Sequence, residues 1–221
     1  MSEEEILKGL TDAVVNGDAA ACEKFAKEAL NAGVDPYKAL MEGCAKGMDI
    51  MSDRYECREA FVPDILLSAQ AIYKAIDILK PHIKMEATET PGKVVLGVVE
   101  GDIHDIGKNI VKILLDVAGF EIIDLGRDVR LKQFIEKVRD EKPDILGMSA
   151  LMSTSMIGMP HVLEMLQDAG VREDLMVMVG GGPLSSAYAE EIGAEGYAEN
   201  APQAVKLAGE LVRMRKRRRT L

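Results

Sequence analysis

Apolar positions recur with two different rhythms along this chain, and the change from one to the other falls between residues 84 and 93. Before it, apolar residues return every three or four positions, the spacing that gathers them on one face of an α-helix. "EEEILKGLTDAVVNG" and "DAAACEKFAKEALNAG" each carry such a stripe and end near glycine, the residue that most readily takes the left-handed turn closing a helix. Asp35 followed by Pro36 predicts a third helix start, because a carboxylate caps free amides and proline suits the first helical position. That helix runs to about Tyr55, with Leu40, Met41, Cys44, Met48 and Met51 at helical spacing. Pro63 opens a fourth, striped by Ile65, Leu66, Ala69, Ile72, Tyr73, Ile76 and Leu79, and Pro81 ends it. Four amphipathic helices with short connections predict an N-terminal four-helix bundle over residues 1–83.

The polar segment "KMEATETPGK", 84–93, contains Pro-Gly and reads as a linker. Over residues 94–221 short apolar runs alternate with helical stripes. Strands are expected near 94–99, 121–125, 144–149, 175–180 and 195–197, and helices near 107–118, 130–140, 157–169, 185–192 and 202–214. This alternation predicts an α/β domain, a flavodoxin-like (Rossmann-like) five-stranded parallel sheet covered by helices. Ligands of such sheets bind beyond the carboxyl ends of the strands. Three loops therefore matter: "GDIHDIG" after the first strand, "SALMSTSM" (149–156) after the third and "GGGP" (180–183) at the end of the fourth.

Composition narrows the picture. A chain of 221 residues, 48% apolar and 29% charged, has the balance of a globular protein and room for two modest domains. A net charge of −10 repels nucleic acid and anionic membranes, so neither is expected as a partner. No apolar run is long enough to span a bilayer, and the opening "MSEEEILKG" is acidic where a secretory signal is basic; a cytoplasmic protein is expected. The basic block "RMRKRRRT" either docks an acidic partner or is a solvated helix end, the commoner fate of such runs. Cys22, Cys44 and Cys57 form no CxxC pair, which supports neither a disulfide framework nor a zinc site and leaves reduced thiols.

The chemistry centres on His104, one of only three histidines. A metal-bound imidazole usually gives its second ring N–H to a carboxylate. Asp102, two residues earlier, can supply it, and Ser149 at the next strand end can hydrogen-bond that carboxylate in turn. One histidine is too few for zinc, which takes three or four protein ligands. A single protein ligand suits a metal whose other positions are filled by a macrocycle. Gly107, Gly180, Gly181 and Gly182 agree, since they remove side chains where something large approaches, although Gly182 alone is equally a flexible turn.

Asp102-x-His104-x-x-Gly107, then Ser149-x-Leu151, then Gly180-Gly181 resembles the signature of the cobalamin-binding domain of corrinoid methyltransferases and some cobalamin-dependent mutases. The intervening residues 108–148 and 152–179 match the usual gaps. "GMDIMSDRYECREAFVPDILLSAQAIYKAIDILKP" resembles the helical cap preceding this module in corrinoid carriers of methylamine, methanol and O-demethylating systems, and "SALMSTSM" and "GYAENAPQAV" resemble the methylamine type. The resemblance implies cobalamin or another corrinoid as cofactor, with His104 as lower axial ligand to cobalt in place of the cofactor's own base. It further implies Asp102 and Ser149 behind the histidine, and Gly107, Leu151, Ser153, Gly180 and Gly181 along a slot for the displaced nucleotide tail, with Ser153 or Thr154 offering a hydroxyl. Asp105, which the motif does not fix, is expected to face solvent.

The function so implied is a carrier, not a complete enzyme by itself. It moves a methyl group on cobalt from a substrate-specific methyltransferase to a second methyltransferase serving tetrahydrofolate or a thiol, with a reductive activator as third partner. Met41, Met48 and Met51 then either line the methyl-bearing face or fill the bundle core. The rivals are the small subunit of an adenosylcobalamin-dependent mutase, against which the bundle argues, and a cobalamin-sensing regulator, for which no DNA-binding segment is left over. A cofactor-free receiver module would need a lysine after the fifth strand, where the chain reads "YAENAPQ".

Overall fold

The first three helices start at capping side chains in this computed structural model, which describes residues 1–84 and 92–218. Ser2 and Glu5 exchange side-chain and backbone hydrogen bonds in a capping box at the start of α1 (Glu3–Val15), and Asp18 caps α2 (Ala19–Asn31). Asp35 accepts the Lys38 N–H at the start of α3 (Pro36–Lys38). The chain then runs through a π-helical stretch, Ala39–Ala45, into α4 (Lys46–Glu56). α5 (Val62–Leu79) begins one residue before Pro63 and ends in a 3-10 turn, Lys80–His82, containing Pro81.

The π stretch is the departure from the even helical spacing read in the sequence. Its wider turn leaves backbone groups that need partners from elsewhere. The Thr11 hydroxyl, from α1, lies 2.9 Å from the Gly43 carbonyl and 3.1 Å from that of Leu7. Close approach of the helices explains both glycines there: a Cβ on Gly43 would fall 2.9 Å from Leu10, and one on Gly47 2.7 Å from Val14. Leu10, Val14, Cys22, Leu40, Cys44, Met51, Ile72 and Leu79 form the core of this unit, while Met41 and Met48 are half-buried.

The structure divides into two compact units, Met1–Lys84 and Met85–Leu221. Most of the expected linker, residues 85–91, lies outside the described residues. The second unit runs β1 (Lys93–Val98), α6 (Ile106–Val117), β2 (Glu121–Asp124), α7 (Leu131–Glu141), β3 (Ile145–Ser149), α8 (Ser153–Met156), α9 (Gly158–Asp168), β4 (Met176–Gly180), α10 (Ser186–Ile192), β5 (Gly196–Ala198) and α11 (Ala201–Arg218). All strand pairs are parallel, in the order β2-β1-β3-β4-β5. This is the doubly wound flavodoxin-like order, and it reverses between β1 and β3, so the loops leaving those strands open a crevice. β1, β3 and β4 read as nearly unbroken apolar runs because helices cover both their faces.

At the opposite edge of the sheet, the basic C-terminal helix has a buried member. Arg215 is 7% exposed and donates to the Asp144 carboxylate and the Asp174 carbonyl, just ahead of β3 and β4. Asp144 also accepts the Lys93 N–H at the start of β1, at 2.8 Å. The tail is therefore more than a solvated helix end. Among the described residues no helix is long and apolar enough to cross a membrane.

Candidate functional site

The site starts in a turn. Beyond β1, the Asp102 N–H donates to the Val99 carbonyl at 3.2 Å, and Gly101, third in this turn, has φ 83°. That left-handed value is what glycine supplies at the third position of a type II turn. The turn brings Asp102 beneath the loop, where it is fully buried.

Five donors converge on its carboxylate. Oδ1 accepts the His104 N–H at 3.0 Å and pairs with His104 Nδ1 at 2.7 Å. Oδ2 accepts the N–H groups of Leu151 at 2.7 Å and Met152 at 3.2 Å and the Ser155 hydroxyl at 2.7 Å. One side chain thus joins the loop after β1 to the loop after β3. Burial alone would push the carboxyl up, but the backbone N–H groups of His104 and Leu151, the Ser155 hydroxyl and the His104 ring together hold it at about 2. Asp102 is ionised at neutral pH, and it makes Nδ1 the proton-bearing nitrogen of His104. Nε2 is then the nitrogen free to act as a ligand. The histidine side chain is 47% exposed.

The hydroxyl behind Asp102 belongs to Ser155 and not to Ser149, which corrects the sequence-based expectation. Ser149 is the last residue of β3, where its carbonyl accepts the Val99 N–H at 3.0 Å in the ladder. The chain must pass Ala150 and Leu151 and enter the tight α8 before a hydroxyl comes under the carboxylate. Ser153, Thr154 and Ser155 were all visible in "SALMSTSM". The useful signal was the helical offset of three from Met152, which returns Ser155 to the side where the Met152 amide already binds Asp102.

The remaining expected residues divide. Ser153 and Thr154 are exposed on α8, and Leu151 is 52% exposed beside Met152. Ile103, 62% exposed, joins Leu151 and Met152 as an exposed apolar residue on the same backbone segments that hold Asp102 and His104. Gly107 sits in the first turn of α6, and a Cβ there would meet open space. Gly181 is different: a Cβ would fall 1.8 Å from the Ala150 carbonyl oxygen, so the close approach there is by the chain's own backbone. At Gly180 the nearest atom to such a Cβ is the Ala198 carbonyl oxygen at 3.1 Å, and at Gly182 the end of the Leu151 side chain at 3.2 Å. Asp105, expected to face solvent, has a side chain only 21% exposed and lies 3.9 Å from Arg127.

These residues fit a metal complex that brings most of its own ligands. Among the described residues no group of three or more His, Cys, Asp and Glu side chains is placed to hold a bare ion. One imidazole, its tautomer set from behind, offers a single ring nitrogen, which is the number of protein ligands such a complex would need.

Comparison with known proteins points the same way. Residues 92–206 match the B12 binding domain family, and residues 6–80 match a second family also described as a B12 binding domain. The chain is 40% identical over 206 residues to trimethylamine corrinoid protein 1 of Methanosarcina acetivorans, covering 92% of this chain and 95% of that one. Its structure is similar to that of the monomethylamine corrinoid protein of Methanosarcina barkeri, with TM-score 0.87, 38% identity and coverage of 95% of this chain and 100% of that one. It is also similar to a chain of the methanol:cobalamin methyltransferase complex of Methanosarcina barkeri, with TM-score 0.52, 32% identity and coverage of 96% and 81%. The chain belongs to the B12-binding family of corrinoid proteins.

Proposed function

We propose that this protein carries a methyl group on a corrinoid, receiving it from a substrate-specific methyltransferase and delivering it to a second methyltransferase that serves tetrahydrofolate or a thiol. Residues 1–83 are the cap domain in this reading and residues 94–221 the corrinoid-binding domain. The observation that carries it is the buried, ionised Asp102 holding His104 Nδ1, which leaves Nε2 as the nitrogen that would ligate cobalt. Cobalt in the bound corrinoid supplies the nucleophile and methyl carrier.

The chain's own residues supply position and protons. Asp102 fixes the imidazole, and Ser155 with the Leu151 and Met152 amides keeps Asp102 charged. Behind the ring, the Asp102 carboxylate holds Nδ1 and would keep Nε2 as the nitrogen available to the metal. Gly107, Leu151, Ser153, Thr154 and Gly180 to Gly182 are the residues that would flank the nucleotide tail in this reading. The relatives carry the names of different methyl donors, trimethylamine, monomethylamine and methanol, on one architecture. Donor choice accordingly resides in the partner methyltransferase, and a reductive activator would be the third partner.

Reconstitution with hydroxocobalamin tests this. A stoichiometric red complex is expected, and His104→Ala should keep the corrinoid while shifting its spectrum to the water-ligated form. A colourless protein defeats the corrinoid reading, and an unchanged spectrum defeats the ligand assignment.

A further inference from the structure

The loop between β2 and α7 carries none of the motif residues, yet it grips the histidine loop at two points. Pairing of β2 with β1 continues past Asp124: the Leu125 N–H donates to the Leu96 carbonyl at 2.8 Å and the Val98 N–H to the Gly126 carbonyl at 3.0 Å. The Val129 N–H then donates back to the Val98 carbonyl at 3.0 Å. Val98 is therefore bracketed by Gly126 and Val129, and Arg127 and Asp128 are pushed out of the ladder as a bulge.

Asp128 occupies that bulge with φ 52°, a left-handed conformation that non-glycine residues seldom adopt and that Asp and Asn tolerate best. From there its carboxylate Oδ1 accepts the Gly101 N–H at 2.8 Å, and its own N–H donates to the Asp102 carbonyl at 2.9 Å. The two bonds lie on either side of the Gly101 and Asp102 rotations. They close the hinge that the flexible Gly101 would otherwise provide. The bulge is itself anchored, because Asp124 accepts the Gly126 N–H at 2.9 Å together with Lys108 Nζ at 2.6 Å and Lys112 Nζ at 2.8 Å from α6.

We infer that Asp128 is a positioning residue for the metal ligand: its clamp on the Gly101–Asp102 backbone sets the aim of Asp102, and through Asp102 the aim of His104 Nε2. The inference rests on the corrinoid reading of the site. Its effect belongs to ligation, and corrinoid retention as such is left intact.

The test uses the full chain and its D128N, D128G and D128A variants, loaded with hydroxocobalamin and reduced to the cobalt(II) form. Nitrogen splitting in the electron paramagnetic resonance spectrum reports the fraction with imidazole bound. Hydrogen exchange at the Gly101 amide, followed in the cofactor-free protein, reports the clamp independently. D128N keeps an acceptor and tolerates the left-handed backbone, so it should stay within about twofold of the parent ratio of bound to unbound imidazole. D128G relieves the backbone conformation but removes the acceptor, and D128A removes the acceptor without that relief; both should lower the ratio about tenfold, the order seen when groups behind a metal ligand are removed. Gly101 exchange should accelerate in the same two variants. A D128G protein that retains corrinoid with the parent ratio overturns the inference, as does a D128N protein as impaired as D128A. A parent chain that binds no corrinoid overturns the proposed function instead, while Gly101 exchange still decides the clamp.

Discussion

Two aspartates, one in the loop after β1 with five donors and one at the end of β2 with three, do different things with their charge. Asp124 receives two ammonium groups, Lys108 Nζ from a side chain 1% exposed and Lys112 Nζ from one 37% exposed, besides the Gly126 amide. Asp102 is fully buried and receives three amides and a hydroxyl, and among these donors the His104 ring is the one that can become a cation. Burial pushes both carboxyls up and the donors more than offset it, so both titrate below the usual carboxylate range. Asp124 is neutralised locally and works as a joint. Asp102 leaves its charge to be answered by an imidazole that also faces outward, which is how a structural carboxylate becomes part of a site.

The difference can be broken in four ways, from the largest effect down. Asp124→Ala strands the Lys108 ammonium in the interior, and losing one partner of a buried pair costs about 3 to 5 kcal/mol. Urea denaturation of the parent and variant measures it, and a cost below about 1 kcal/mol would put Asp124 on a par with surface pairs.

Acid is the second probe. The folded-state value of Asp102 is depressed, so its contribution is complete above the ordinary aspartate range and disappears as pH falls from about 4 to about 2. Two units correspond to about 3 kcal/mol at most. Denaturation midpoints at pH 5 and pH 2 should show that component in the parent and lack it in D102N.

The third compares serines. Ser155→Ala removes a donor from a buried carboxylate and should cost about 1 to 2 kcal/mol, whereas Ser149→Ala, which leaves the ladder carbonyl in place, should stay within about 0.5 kcal/mol. The reverse order in thermal unfolding would restore Ser149 as the partner of Asp102. Smallest is Lys112→Met, where a half-exposed cation leaves a carboxylate still held by Lys108, and a change below about 1 kcal/mol is expected by the same measurement.

What the sequence made legible follows the range of the interactions. Strand and helix positions in the second unit fall within a few residues of the expected ones, because burial on one or both faces writes itself into local periodicity. His104 and Asp102 were legible for the same reason, being two residues apart in one loop. Ser155 was not, since its place under Asp102 depends on how a short helix folds across 53 residues of separation. The π stretch in Ala39–Ala45 escaped because Leu40, Cys44 and Met51 stay buried with or without the extra residue in the turn, and its partner Thr11 lies 32 residues away from Gly43. Asp128 carries no periodic signal at all. Its role appears only when a positive φ and two hydrogen bonds are seen together.

The buried Arg215 has a consequence for how the molecule is made. Synthesis runs from the N-terminus, so β1 to β5 leave the ribosome before the helix that carries this guanidinium. Until then the Arg215 guanidinium is missing from its place between the Asp144 carboxylate and the Asp174 carbonyl, ahead of β3 and β4. The last turns of α11 therefore act as a closing latch: the strands can pair in order as they emerge, and the end of the sheet far from His104 is fastened only once α11 has followed them.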